Sequence, residues 1–238
     1  MIEINNLSIS FGKQQILKNI DLTIPENQIT IIVGQSGTGK SVLMKSIEGL
    51  IEPVEGSIII DEKDLFILNK FELNKTRKKM AMLFQDSALL DSMNVYQNVA
   101  LPLIEHTDLS EVAILKEVKE KLELVGLENV LTKMPAELSG GMKKRVALAR
   151  AIILKPKYII YDEPTTGLDP IIADEISNLI LKLQNQYDIA SIIITHDMDC
   201  IRKVKGHIAM IHDKKIVFDG TFNNFINDER KIIKEFVK

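Results

Sequence analysis

Ile29-Thr30-Ile31-Ile32-Val33-Gly34-Gln35-Ser36-Gly37-Thr38-Gly39-Lys40-Ser41-Val42-Leu43-Met44-Lys45-Ser46-Ile47 is the stretch on which the whole chain turns. The run from Ile29 to Val33 is β-branched throughout with no charge in it, the composition of a buried strand. Val42 to Ile47 has helical composition and spacing. Between them, Gly34 to Ser41 fits G-x-x-x-x-G-K-[ST], and strand, glycine loop and helix in that order are the context this pattern needs. The glycines let the backbone curl until successive N–H groups point inward at phosphate oxygens. The helix N-terminus adds its partial positive charge at the same spot. Lys40 supplies a point charge for the outer phosphates, and Ser41 a hydroxyl for Mg²⁺. A flexible Gly/Ser turn is the bland alternative, and the flanks decide for a nucleoside-triphosphate site.

The composition narrows what surrounds that site. A chain of 238 residues with 45% apolar composition is one large domain, or one with subdomains, and needs no disulfide or metal staple. Cys200 is the only cysteine, which rules out an internal disulfide and fits a reducing compartment. It sits among acids in Asp197-Met198-Asp199-Cys200-Ile201, a setting that makes a reactive thiol unexpected. The net charge of −3 argues against a broad nucleic-acid surface. No apolar run approaches the about 18 residues of a membrane span, and Met1-Ile2-Glu3-Ile4-Asn5 lacks a basic leader, so the sequence predicts neither span nor secretion signal.

Outward from the glycine loop, the chain alternates. Ile2, Ile4, Leu7, Ile9 and Phe11, then Ile16, Ile20, Leu22 and Ile24 after Gly12-Lys13, read as half-exposed antiparallel strands. Ser57-Ile58-Ile59-Ile60 is a strand ending in an Asp61-Glu62 turn. Lys75-Thr76-Arg77-Lys78-Lys79 reads as the solvated end of a helix, with an anion site as the lesser reading. Met80 to Phe84 is a strand leading to Gln85. From there to about Pro156 the pattern is helical: Ser110 caps a helix with Val112, Leu115, Val118, Leu122 and Val125 at helical spacing, and Gly126 ends it. Lys116 with Glu120 and Glu117 with Lys121 are expected on its outer face. A second helix follows Ser139-Gly140-Gly141. Strands return at Tyr158-Ile159-Ile160-Tyr161 and Ser191-Ile192-Ile193-Ile194-Thr195, with a helix from Ile171 to Gln186 between them. Ile208 to Phe218 reads as a hairpin, and a short helix is expected in the tail from Asn227. Such alternation predicts a mainly parallel sheet whose ligands collect at the strands' carboxyl ends.

The first of these later strands delivers Asp162-Glu163, and two adjacent acids beside a phosphate loop have a job to do. Asp162 would hold Mg²⁺, commonly through water, and Glu163 would orient or deprotonate the water that attacks the γ-phosphate. Two acids at a strand end are otherwise simply solvated. His196 ends the next strand, where a neutral or protonated imidazole could touch the γ-phosphate. His106, His207 and His212 have no such placement and read as surface residues.

Leu138-Ser139-Gly140-Gly141-Met142-Lys143-Lys144-Arg145, ahead of Tyr161-Asp162-Glu163-Pro164-Thr165-Thr166-Gly167-Leu168-Asp169-Pro170, resembles the signature and neighbouring motifs of ATP-binding-cassette (ABC) ATPases. The resemblance covers essentially the whole chain. It implies an α/β fold: a P-loop NTPase with a RecA-like parallel-sheet core, an N-terminal antiparallel β subdomain and an inserted α-helical subdomain carrying the signature. The core then comprises residues 1–84 and 157–238, and the helical subdomain 85–156. It also implies that ATP is bound by Phe11, Gly34, Gln35, Ser36, Gly37, Thr38, Gly39, Lys40 and Ser41, with Phe11 stacking on adenine where a tyrosine is more usual. Core packing is the other reading of Phe11. Mg²⁺ falls to Ser41, Gln85 and Asp162, and catalysis to Glu163, His196 and the Q-loop glutamine Gln85. Ser139, Gly140 and Gly141, with Asp169 of the D-loop, would complete the nucleotide site of a second copy. A second anion-binding helix start makes physical sense if it caps a partner's nucleotide, because the chain's own phosphates are already cradled.

Met82 to Leu90, then Met93-Asn94-Val95-Tyr96-Gln97-Asn98-Val99-Ala100-Leu101-Pro102-Leu103 with Glu105-His106-Thr107, and Met142, are similar to the ATPase of the Mla/Mce lipid-transport systems. This implies phospholipid transport between membranes, a polytopic permease docked near Gln85, and, in some systems, a STAS-domain protein and an Mce-type lipid-binding subunit. The expected place is the cytoplasmic face of the inner membrane, held there by the permease, with no nucleic-acid partner. Val95, Tyr96, Val99, Leu101 and Leu103 are expected to floor the docking groove, or else to pack the helical subdomain's own core. Some members carry a tail that grips the neighbouring ATPase; here the last residue is Lys238, and the resemblance does not carry that contact over. Another ABC transport ATPase, for amino acids or drugs, shares all the catalytic motifs. A non-transport cassette protein is a further class, though translation types carry two cassettes per chain and chromosome types a long coiled coil.

Overall fold

The computed structural model describes residues 1–238. The chain opens with β1 (Ile2–Phe11) and β2 (Gln14–Ile24), an antiparallel pair. β3 (Ile29–Val33) is buried at every position and leads through the glycine loop into α1 (Lys40–Ile47). β4 (Glu55–Ile60) and the short β5 (Lys63–Asp64) return to the first pair, giving an antiparallel sheet in the order β2-β1-β4-β5. α2 (Lys70–Arg77) and β6 (Met80–Leu83) follow. Next come α3 (Val95–His106), α4 (Glu111–Leu124) and α5 (Gly140–Ile152), with a 3₁₀ turn at Pro135–Glu137 before α5. The chain then alternates through β7 (Tyr158–Asp162), α6 (Pro170–Tyr187), β8 (Ala190–Ile194), α7 (Met198–Val204), β9 (His207–His212) and β10 (Lys215–Thr221). It ends in α8 (Phe222–Ile226) and α9 (Lys231–Val237).

The second sheet has the order β10-β9-β3-β8-β7-β6. All its pairs are parallel except β10 with β9, the hairpin expected from Ile208 to Phe218. Its strands are covered on both faces, and residues alternate between two apolar clusters with the period of two that a strand imposes. Ile31, Val33, Ile159 and Tyr161 face Val99, Val118 and Val146 of the helices between β6 and β7. Ile32, Tyr158 and Ile160 face α1 and the antiparallel sheet. The cross-strand register sets Ile32 opposite Ile194 and Ile194 opposite Asp162, so three neighbouring strands end at one level. Leu83 pairs with Tyr161 and brings the end of β6 to the same edge.

Several sequence expectations change. Lys121 is 5% exposed instead of lying on an outer face: its Nζ donates to the Tyr187 hydroxyl at 3.1 Å and stands over the ring. Only Lys116 with Glu120 makes an outer-face pair. The basic run is more than a solvated helix end. Arg77 donates Nε to the Glu48 carbonyl at 3.0 Å and Nη2 to the Gly49 carbonyl at 2.8 Å, satisfying the end of α1, and Lys79 binds Asp61 at 2.6 Å. The tail holds two helices, with α8 ahead of Asn227. Val95, Val99 and Leu103 are 0%, 0% and 4% exposed and pack the helices' own core, so they are not the floor of a docking groove. Their helix is anchored by Asn98, fully buried, whose side chain accepts from Leu90 N and donates to the Leu90, Met93 and Asn94 carbonyls.

Candidate active site

The glycine loop is built by sterics first. Gly34 has φ +155, and a Cβ there would stand 2.5 Å from the Ile211 carbonyl oxygen of β9, so no other residue fits between the two strands. Gly39, at φ +100, precedes an α1 whose N-terminus receives no side-chain cap, leaving its first N–H groups directed at the loop. Lys40 curls back over the loop, donating Nζ to the Gly34 carbonyl at 2.8 Å and to the Gln35 carbonyl at 2.9 Å. Burial lowers its pKa, while Glu163 and Asp162 pull the other way, which places the ammonium within electrostatic reach of both acids. Phe11 is 53% exposed at the end of β1, so its ring is not core packing.

Across the sheet, Asp162 ends β7 and Glu163 turns off it with φ +47, in the left-handed region that aims a side chain away from the strand. Three groups hold that carboxylate. His196 Nδ1 lies 2.7 Å from Oε1, Thr166 Oγ1 donates to Oε2 at 3.0 Å, and Thr195 Oγ1 donates to Oε2 at 3.3 Å. The glutamate backbone is fixed as well, its N–H donating to the Ile194 carbonyl at 2.8 Å. Glu163 is 9% exposed. Asp162 has its carboxyl raised by burial and by the charge of Glu163, with Lys144 and Lys40 offsetting part of the rise. A divalent cation beside it would relieve both causes. Ser41 hydroxyl, Gln85 amide oxygen and Asp162 carboxylate are hard oxygen donors, the chemistry Mg²⁺ takes alongside water and phosphate oxygens.

Gln85 lies just past β6, exposed, and its backbone carbonyl and that of Glu163 both accept from Lys144 Nζ. The structure therefore brings Lys40, Gln85, Asp162, Glu163 and His196 to one sheet edge. Ser139, Gly140 and Asp169 form a different exposed edge. Ser139 caps α5 by accepting from Met142 N, and Asp169 caps α6 by accepting from Ile171 N and Ile172 N, both at 3.1 Å. The two helix starts dovetail: a Cβ on Gly141 would sit 2.6 Å from Ile172 Cγ2. Thr166, Thr195 and Lys144 are the residues that sequence reasoning left without a role. The signal for the threonines was adjacency, since Thr195 precedes His196 and Thr166 stands one turn past Glu163.

The family described as ABC transporter matches residues 17–166, and the chain belongs to it: this is an ATP-binding-cassette protein. The ABC cassette of MJ0796, solved as a dimer in a post-hydrolysis state with ADP and Pi, superposes with a TM-score of 0.84 at 31% identity, covering 93% of this chain and 98% of that one. Among curated proteins, the chain is similar to the intermembrane phospholipid transport system ATP-binding protein MlaF of Haemophilus influenzae. The identity is 40% over 238 residues, spanning 100% of this chain and 90% of that protein. It is also similar to the probable ribonucleotide transport ATP-binding protein mkl of Mycobacterium tuberculosis, at 42% over 236 residues. This chain then spans 66% of that protein's length.

Proposed function

We propose that this chain hydrolyses ATP as one of a head-to-tail pair of copies and drives a membrane permease that moves phospholipid. The observation that carries the hydrolysis is the alignment of Lys40, Asp162, Glu163 and His196 at the ends of adjacent strands, on the sheet edge where this fold class binds ligands. The loop N–H groups and Lys40 hold the outer phosphates of ATP, and Phe11 stacks on the base. Ser41, Gln85 and Asp162 would hold Mg²⁺, which neutralises phosphate charge when bound. Glu163, fixed by Thr166 and Thr195, takes a proton from water as it attacks the γ-phosphorus. The bond to the bridging oxygen breaks, giving ADP and phosphate. His196 orients the carboxylate and meets the γ-phosphate. The exposed edge of Ser139, Gly140 and Asp169, with Gly141 packed beneath it against Ile172, completes the partner's site, as the dimeric state of MJ0796 supports.

Docking to the permease falls to an apolar groove of about 990 Å³ beside Gln85, with Phe71, Phe84, Leu90 and Pro102 on its walls and His106 and Arg150 among its polar groups. Residues 85–156 would move as the helical unit between that groove and the core of residues 1–84 and 157–238. No helix is long and apolar enough to cross a membrane, so attachment at the inner face of the cell membrane rests on the permease. The lipid reading is supported by similarity along the full chain to an intermembrane phospholipid transport system ATP-binding protein, MlaF, and the resemblance carried by Met82 to Thr107 adds an Mce-type subunit and a STAS-domain protein as further partners. The similarity to mkl, a probable ribonucleotide transport ATP-binding protein, favours a second reading, ribonucleotide transport. Affinity purification from membranes, with mass spectrometry of the bound proteins and lipids, separates the two. A permease with an Mce-type subunit and phospholipid is the expected result. A permease of another kind, with no lipid, overturns it.

A further inference from the structure

α5 carries two cations that turn from its exposed start onto the segment after β6. Lys144 is 4% exposed, and its Nζ donates to three backbone carbonyl oxygens, those of Gln85, of Phe84 at 3.5 Å and of Glu163 at 3.4 Å. Arg150, nearly two turns further on, donates Nη1 to the Ala88 carbonyl at 2.8 Å and Nη2 to the Ser87 carbonyl at 2.9 Å. Ser87 and Ala88 have φ +63 and +44, a conformation that L side chains adopt reluctantly, so the arginine holds a segment that would otherwise relax. Lys144 makes no ion pair, and a buried ammonium without a bonded carboxylate is an expensive way to fill space. Its three protons match three acceptors, two from the Gln85 segment and one from the Glu163 backbone. An uncharged side chain would serve packing better; only a long cation ties all three carbonyls to one helix.

We propose that Lys144 is a positioning residue that locks the backbones of Gln85 and Glu163 to α5, so that a partner's nucleotide seated on Ser139–Gly141 sets the geometry of this chain's own catalytic carboxylate. The inference deepens the hydrolysis reading and rests on it. It explains why the same helix begins at one copy's nucleotide and reaches the other's catalytic centre. The two sites are then coupled through one rigid element, with no need for a separate relay.

The test uses Lys144→Gln, Lys144→Met and Lys144→Arg in the purified transporter complex, with Glu163→Gln as the control for hydrolysis itself. Expected for the glutamine and methionine variants is a fall in kcat on the order of tenfold to a hundredfold, the cost of a misplaced catalytic group. KM and calorimetric ATP affinity should stay within about twofold, and the cooperativity of turnover in ATP should be lost. Lys144→Arg should restore most of the rate and the cooperativity. Unchanged kcat and cooperativity in a folded Lys144→Gln protein overturns the proposal. So does a loss confined to melting temperature, or failure of both uncharged variants to fold while Lys144→Arg matches the wild type in every respect short of turnover. If Glu163→Gln leaves turnover intact, it is the hydrolysis assignment that has failed instead.

Discussion

At the scale of the residue, the proposed function makes Lys40 the group on which ATP binding depends. Its ammonium is already desolvated and pinned over two loop carbonyls, so it meets a phosphate without further ordering. Lys40→Ala should leave the fold intact and weaken ATP binding on the order of a hundredfold or more, read by calorimetry; wild-type affinity would remove the loop from the site. Glu163→Gln separates binding from chemistry, because the amide keeps an acceptor for Thr166 and Thr195 but takes no proton. Turnover should vanish while ATP drives the copies into stable pairs, seen by light scattering. A variant hydrolysing at the normal rate would rule the carboxylate out as the base. Lys40, Glu163 and His196 were legible in the sequence because each ends an apolar strand or sits in a spaced motif. Lys144 was not, although it lies inside the quoted signature. Its partners Gln85 and Glu163 come from segments that only tertiary packing brings together.

Among the elements, the apolar joint between the two sheets is reinforced by a carboxylate that gathers donors from the second of them. Asp61, in the turn after β4 at φ +50, accepts from Lys79 Nζ and Lys157 Nζ, each at 2.6 Å, and from the Tyr158 hydroxyl at 2.7 Å. Burial alone would raise its carboxyl, but the hydrogen bonds from Lys157, Lys79 and Tyr158 outweigh burial and hold it well below the usual carboxylate range. The unfolded chain, with an ordinary value near 4, takes up the proton first as the solution is acidified. The contribution is therefore complete above about pH 4 and disappears below it. Asp61→Asn should cost about 1–3 kcal/mol at pH 7 in denaturant titrations and flatten the decline of stability below about pH 4. An unchanged acid limb would show the cluster to be idle. The turn itself was readable from Asp61-Glu62, as was almost every strand, because β-branched runs bounded by turn residues have few other uses. The joint was not, since Lys79 and Lys157 look in sequence like any solvated cations. Helix α8 was missed for a related reason: its Phe222 and Phe225 are bought into place by packing against β10, and five residues carry no helical period.

For the molecule as a whole, the proposed function makes the groove beside Gln85 the surface that has to find a partner. Phe71 is 80% exposed and Leu90 42% exposed, and neither belongs to the buried core. Phe71→Asp or Leu90→Asp should leave melting temperature and ATP affinity unchanged yet release the protein from the membrane fraction, since an unpaired charge in an apolar interface costs several kcal/mol. Retention on the membrane would move the docking surface elsewhere.

The common level at which β3, β8 and β7 end has a further consequence, for changes of chain length. Ile32, Ile194 and Asp162 stand in one row, and each residue along a strand advances it by about 3.3 Å while reversing its face. A codon lost from β7 therefore carries Glu163 into the place of Asp162 and leaves no acid where water is to be activated. In-frame deletion of Ile160 should abolish turnover, whereas one residue inserted between Asp108 and Leu109, in the exposed link from α3 to α4, should be silent in the same ATPase measurement. Over these strands the gene is free to vary its spelling but has to keep its count.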